Sequence, residues 1–246
     1  TDRVIHELIP HEEECQVRGV EFMSKVVRKT ADIIVLRNQK YIQTMIRRYN
    51  IDSSRVKYLE LWRRYPEFTP PVHSGRVLFF GRINPYKGID NLLQIVRLCP
   101  YVHFDVIGQV DSQMEEIVGK LSQEKNVHLN RGYVSDDEMR KAFVNADWII
   151  IPYNSASQSG IIIDAYKYSR PVIAFNVGAL VEQVDDCKSG FLIDAGNNEK
   201  FAAKLREVLQ MTTADYDSMC TFAYQYGSEK YSASGAVGRF RNMVEG

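Results

Sequence analysis

The sequence has no excess of either charge: 31 Lys and Arg stand against 31 Asp and Glu in 246 residues. That balance gives no indication of a general electrostatic attraction to nucleic acid. Cysteine is scarce. Cys15, Cys99, Cys187 and Cys220 lie far apart with no C-x-x-C pair. This argues against a disulfide framework or a zinc site and fits a reducing compartment. No apolar run approaches the ~18 residues of a membrane span, and no signal-peptide pattern opens the chain. There is no initiator Met, and the opening TDRVIHELIPHEEE reads as the interior of a longer protein. Internal repeats and low-complexity tracts are also missing. What remains is an ordinary soluble composition, 45% hydrophobic and 25% charged, long enough for one large domain or two small ones.

A Pro-rich stretch, YPEFTPPVHSG (Tyr65 to Gly75), separates two regions and reads as a linker. Downstream, short apolar runs alternate with amphipathic segments. RVLFFG, VHFDVIG, NVHLNRG, DWIIIP, PVIAFN and GFLID read as strands. Between them, Leu92, Leu93, Val96 and Cys99 mark one helical face, and Met114, Ile117, Val118 and Leu121 another. Met139 with Phe143, and Phe201 with Leu205, Val208 and Leu209, mark two more. Apolar strands without polar alternation are buried on both sides. Strict alternation of strand and helix predicts an α/β fold with a doubly wound, Rossmann-like parallel sheet. Upstream, DIIVLR and VKYLEL read as two short strands among helices. Sixty such residues are too few for a good core of their own.

Ligands of an open parallel sheet sit outside the carboxyl ends of its strands, and two strand ends carry suitable chemistry. In FFGRINPYKGIDNLL, Gly81 ends a strand, and Arg82 and Lys87 share the loop that follows, with Asp90 placed to cap the next helix. Arg offers phosphate a bidentate fork and Lys a mobile point charge. Two solvated surface cations would give the same pattern. In SASQSGIIIDAYKYSRPVIAF, Ser155 to Gly160 precede a helix that starts near Gly160 or Ile161, with Asp164 one turn in. A helix N-terminus presents unpaired N–H donors and partial positive charge to an anion. Asp164 would reach sugar hydroxyls, or would simply sit well in the macrodipole of a core helix. Together the two corners describe a clamp for a diphosphate.

These segments, with FDVIGQ, VHLNRGYVSDDEMRKAFVNADWIIIPY and NVGALVEQVDDCKSGFLID, resemble the nucleotide-binding domain of family 4 glycosyltransferases of the GT-B fold. The resemblance runs from about Arg76 to Ala203. It implies a retaining enzyme that moves a sugar from a nucleotide diphosphate sugar to an acceptor hydroxyl. It matches Arg82 and Lys87 to the diphosphate-binding pair, and Asp164 to the second acid of an E-x7-E motif that holds the ribose. The first Glu of that motif is replaced by Ala156, and the Gly-Phe-Gly that follows it by Ser157, Gln158 and Ser159. Gln158 and Ser159 would then take over hydroxyl contacts, and Gly160 and Ile161 would offer backbone N–H groups. Gln109, and Tyr133 with Val134, would shape the base pocket or form ordinary strand-end turns. Glu182 matches an acidic position or only caps a helix. His6, with His11 second, resembles the His of the first domain that faces the cleft near the donor sugar.

The expected organisation is therefore residues 1–65 as the C-terminal part of an acceptor domain, 66–75 as linker and 76–246 as a nucleotide-sugar-binding domain with C-terminal helices. His6, Arg82 and Lys87 form the expected catalytic set. No metal and no cofactor is expected, because the cations take on the diphosphate. Expected partners are a nucleotide sugar and a saccharide or lipid-linked acceptor, not nucleic acid, in polysaccharide or glycoconjugate synthesis. Seven basic residues between Phe22 and Arg48 (Lys25, Arg28, Lys29, Arg37, Lys40, Arg47, Arg48) fit either a solvated face or peripheral contact with anionic lipid. The expected location is cytoplasmic, with the inner membrane face as the place of such contact. With half of a cleft, the chain alone is expected to bind donor but transfer little sugar. A non-catalytic nucleotide-sugar binding module is the alternative. An epimerase would need further cleft acids, and a dinucleotide-dependent oxidoreductase would need G-x-G-x-x-G where FGRINPYKG stands.

Overall fold

Apolar runs without polar alternation must be covered on both faces, and here they become the middle of a parallel sheet. The computed structural model describes residues 3–4, 26 and 29–245. The chain divides into two compact units, Thr1–Trp62 with Tyr231–Gly246, and Arg63–Lys230. This division falls ahead of the expected linker and assigns the last helix to the first unit.

Among the described residues, the first unit holds three parallel strands in the order β1 (Arg3–Val4), β2 (Ile34–Leu36) and β3 (Val56–Tyr58). Helix α1 (Ile42–Tyr49) connects β2 to β3, and Asn50, left-handed at φ 49°, closes it. Ile34, Leu36, Met45, Ile51 and Val56 make its core. Val35 and Leu59 pack with Ala236 of the last helix, Ala233–Glu245.

The second unit holds β4 (Arg76–Phe80), β5 (His103–Gly108), β6 (Val127–Arg131), β7 (Trp148–Ile151), β8 (Val172–Phe175) and β9 (Gly190–Ile193). They pair in parallel in the order β6-β5-β4-β7-β8-β9. Helices α2 (Ile89–Leu98), α3 (Glu115–Leu121), α4 (Asp136–Asn145), α5 (Gly160–Lys167), α6 (Asn198–Val208) and α7 (Thr213–Tyr231) complete it. β7 and β8 are buried at every position. β6 departs from the expected burial, because it is an edge strand whose His128, Asn130 and Arg131 are exposed. Ser135 caps α4 in a reciprocal capping box with Glu138. The expectation for Asp90 is corrected: α2 begins behind Gly88, and Asp90 lies inside its first turn, accepting from Asn154 Nδ2 at 3.3 Å.

Residues 63–70 lie tied along the second unit rather than hanging as a loose linker. Tyr65 Oη donates to Ile163 O at 3.4 Å, Tyr224 Oη to Pro66 O at 2.7 Å and Thr69 N to Ser169 Oγ at 3.3 Å. Arg170 is fully buried and donates to five carbonyls, those of Phe143, Thr69, Ser169, Pro70 and Val144. Burial lowers its pKa, while the carbonyls replace the hydrogen bonds that water would give.

Candidate functional site

The chain enters its large sheet at β4, steps outward through β5 and β6, then crosses to β7 on the other side. The crevice of such a sheet opens where the order reverses, at the carboxyl ends of β4 and β7. Both corners singled out in the sequence emerge there, and they meet. A side chain on Gly81 would stand 3.0 Å from Lys87 Nζ and 3.5 Å from Ile161 Cδ1. Glycine is what allows the lysine amine and the first turn of α5 to close over the end of β4.

Lys87 is buried, which excludes a solvated surface cation at this position. Its Nζ donates to Tyr153 Oη at 2.8 Å and lies 4.7 Å from the centre of that ring. Burial pushes the Lys87 pKa down and that of Tyr153 up. The loop carrying Lys87 is fastened to the end of β7. Asn154 N donates to Tyr86 O at 2.8 Å, and Asn91 Nδ2 to Pro152 O at 3.0 Å. Gly88, at φ 64°, turns the chain where a Cβ would come within 1.9 Å of Pro152 O. Arg82 stands in the opposite environment. Its side chain is 67% exposed, and Nε donates to Asp111 Oδ1 at 2.7 Å.

The second corner is held from behind. Ser159 N donates to Gln183 Oε1 at 2.7 Å and Gln183 Nε2 donates back to Ser159 O at 3.0 Å. α5 follows at Gly160, and the N–H groups of Gly160 and Ile161 in its first turn have no intrahelical acceptor. Ser157 and Gln158 are half-buried beside it. Ala156 is buried, and its carbonyl accepts from Ala179 N at 3.1 Å. Asp164 is buried one turn into α5 and paired with Arg63 through both carboxylate oxygens, at 2.8 and 3.2 Å.

Gln109 and Tyr133 are exposed, Tyr133 at 93%, and Val134 is half-buried. They follow β5 and β6, at the same edge of the sheet as Gly81. Glu182 sits in a short 3-10 turn, Leu180–Glu182, and its carbonyl accepts from Lys230 Nζ. His6 and His11 lie outside the described residues. Among the described residues no group of three His, Cys, Asp or Glu side chains could hold a metal ion. No described helix is long and apolar enough to cross a membrane.

Three residues at the site escape a reading of the sequence: Tyr153, Gln183 and Arg63. Each acts on a partner far away in the chain, and none belongs to a periodic or turn pattern.

This parallel α/β sheet with flanking helices matches the fold of GT-B glycosyltransferases. The family profile of glycosyl transferases, group 1, matches residues 74–211, and the chain belongs to that family. A D-inositol 3-phosphate glycosyltransferase of Mycolicibacterium gilvum is 23% identical over 220 residues, covering 80% of this chain and 50% of that protein. Among solved structures, S. aureus TarM with fondaparinux, alpha-GlcNAc-glycerol and UDP is similar at a TM-score of 0.81 and 17% identity, over 99% of this chain and 50% of that one. Anabaena HepE in complex with UDP is similar at a TM-score of 0.78 and 17% identity, over 98% and 71% of the two chains. The chain spans about half the length of the curated relatives it matches.

Proposed function

We propose that the protein transfers a sugar, with retention of configuration and without a metal, from a nucleoside diphosphate sugar to an acceptor hydroxyl. The carrying observation is the meeting of Lys87 Nζ, Gly81 and the first turn of α5 at the carboxyl ends of β4 and β7. Departure of the sugar leaves negative charge on the diphosphate. The Lys87 ammonium, the Arg82 fork and the N–H groups of Gly160 and Ile161 would stabilise that charge as it develops. Because those dipoles are held by the fold, little reorganisation is needed at the moment of reaction. The UDP named with the two similar structures supports a nucleoside diphosphate as the shared ligand chemistry.

On this reading Asp164 binds the ribose, while Gln109, Tyr133 and Val134 border the base. Ser157, Gln158 and Ser159 would make the donor-sugar contacts, and His6 is the residue proposed to orient the donor sugar. The acceptor is a saccharide or a lipid-linked sugar in polysaccharide or glycoconjugate synthesis. Exposed Lys29, Lys40, Arg47 and Arg48 would favour peripheral contact with anionic lipid at the cytoplasmic face. Donor binding belongs to this chain, but transfer by this chain alone is expected to be slow. Orientation of both substrates is worth about 7–11 kcal/mol of a barrier, and that orientation requires a whole acceptor site.

The test is thermal-shift titration with UDP, GDP, ADP and their common sugars. At 100-fold excess over Kd, the matching nucleotide stabilises the chain by about 2.7 kcal/mol, and Lys87→Ala abolishes most of that shift. No response to any of them would sink the reading. Transfer or hydrolysis of the donor sugar separates the enzyme from a binding module.

A further inference from the structure

We propose that Arg63 is a positioning residue for the nucleotide's ribose, acting through Asp164; this rests on the nucleotide site described above. Arg63 Nε donates to Asp164 Oδ1 at 2.8 Å and Nη2 to Oδ2 at 3.2 Å, so the guanidinium fork fixes the plane of the carboxylate. An Asp side chain on its own turns freely about its last torsion. Pinned in this way, it presents its remaining lone pairs in fixed directions.

The arithmetic of acceptors suits a vicinal diol. A carboxylate has about four acceptor positions. The fork takes one on each oxygen and leaves one on each. The ribose 2′- and 3′-hydroxyls are two adjacent donors with matching spacing. A lysine could neutralise Asp164 but could not hold both oxygens at once.

Two further observations show that the pair is built rather than incidental. The guanidinium lies over the start of α5, where a side chain on Gly160 would stand 3.0 Å from Arg63 Nη2. Gly160 therefore leaves the space that Arg63 fills, next to the N–H groups of the helix mouth. The chain around Arg63 is also tied down. Tyr65 Oη donates to Ile163 O, Pro66 O accepts from Tyr224 Oη, and Arg170 holds Thr69 O and Pro70 O. Asp164 is nearly buried while Arg63 is about one-third exposed, with side-chain exposures of 9% and 34%.

The experiment is calorimetric titration of the full chain and of Arg63→Ala, Arg63→Lys and Asp164→Asn. The probe is whichever of UDP, GDP and ADP binds the unaltered protein, beside its 2′,3′-dideoxy form. The unaltered protein should prefer the ribose form by roughly tenfold or more, the worth of about one charged hydrogen bond. All three variants should lose most of that preference while their affinity for the dideoxy form changes little. A merely structural arginine would lower the melting temperature and leave the ratio intact. If Arg63→Ala proves too unstable to titrate, Arg63→Lys and Arg63→Gln carry the test, and neither should restore the ratio. A ratio preserved in the Arg63 variants overturns the proposal. So does an equal loss for both nucleotide forms, which would make Arg63 a phosphate contact. A ratio preserved in Asp164→Asn overturns it as well, while leaving the diphosphate site standing. Failure of all three nucleotides to bind would overturn the underlying reading.

Discussion

The two corners of the crevice look alike in sequence, each a glycine-bearing turn between strand and helix, but they are built oppositely. The first, Gly81 to Gly88, contributes side-chain charge and divides it. Arg82 reaches into solvent beside Asp111, whereas Lys87 is folded inward onto Tyr153. The second, Pro152 to Gly160, contributes backbone dipoles and is locked from behind by Gln183 and, one turn on, by Arg63. A charge that must meet a variable ligand tolerates freedom. A dipole is useful only when its direction is fixed. On the function proposed above, the difference makes an anion site of one adaptable half and one rigid half.

The rigid contact between the corners is the easiest to break. Gly88→Ala should destabilise the chain by about 3 kcal/mol, because it combines a left-handed backbone with a clash against Pro152 O; chemical denaturation measures it. Next comes Lys87→Met. It should weaken nucleoside diphosphate binding by about 1.5–3 kcal/mol and leave the free nucleoside nearly unaffected, as titration of both ligands would show. Equal losses would remove Lys87 from the phosphate site. Gln183→Ala should cost about 1–3 kcal/mol of stability by orphaning the buried Ser159 N–H. It should also weaken diphosphate binding, since α5 then loses its brace. Arg82→Ala should change stability by less than about 1 kcal/mol, because the Arg82 side chain is largely in solvent, yet it should still weaken diphosphate binding. Loss of neither would make it a bystander.

Titration with pH sharpens the same contrast. Burial lowers the Lys87 pKa, so the folded chain binds fewer protons at this site than the unfolded chain does just below the ordinary lysine range. Stability therefore rises with pH across that window. Diphosphate affinity falls there, because the ammonium it needs is being lost. Lys87→Met should flatten both trends, and melting curves and binding isotherms recorded across the window measure them.

Much of this was legible in the residues themselves. The apolar runs around Leu78, Ile149 and Ile173 could only be interior strands, and Gly81, Lys87, Gly160 and Asp164 fell at strand ends and a helix mouth by spacing alone. Other features depend on place rather than pattern. VHLNR reads like any strand until the sheet sets it at an edge. Lys87 and Arg82 are both cations in one loop, and only the approach of Tyr153 separates them. Arg63 carries no local signal because its partner lies across the fold, in a helix reached after most of the sheet has formed. The ties of the expected linker depend on place in the same way: Pro residues mark an extended segment, and buried Arg170 takes carbonyl acceptors from it.

The helix Ala233–Glu245 packs its Ala236 against Val35 and Leu59 of the first unit, and this has a consequence for synthesis. Residues 60–232 must be translated before that apolar patch receives its cover. At ordinary ribosome speeds this is a wait of roughly 10–35 s. The three-stranded unit is thus completed after the six-stranded unit, whose whole sheet lies within one continuous stretch and can fold in the meantime. A newborn chain would pass through a stage with its large sheet assembled and its small sheet still uncovered, a stage in which a chaperone that holds short apolar strands would find its substrate.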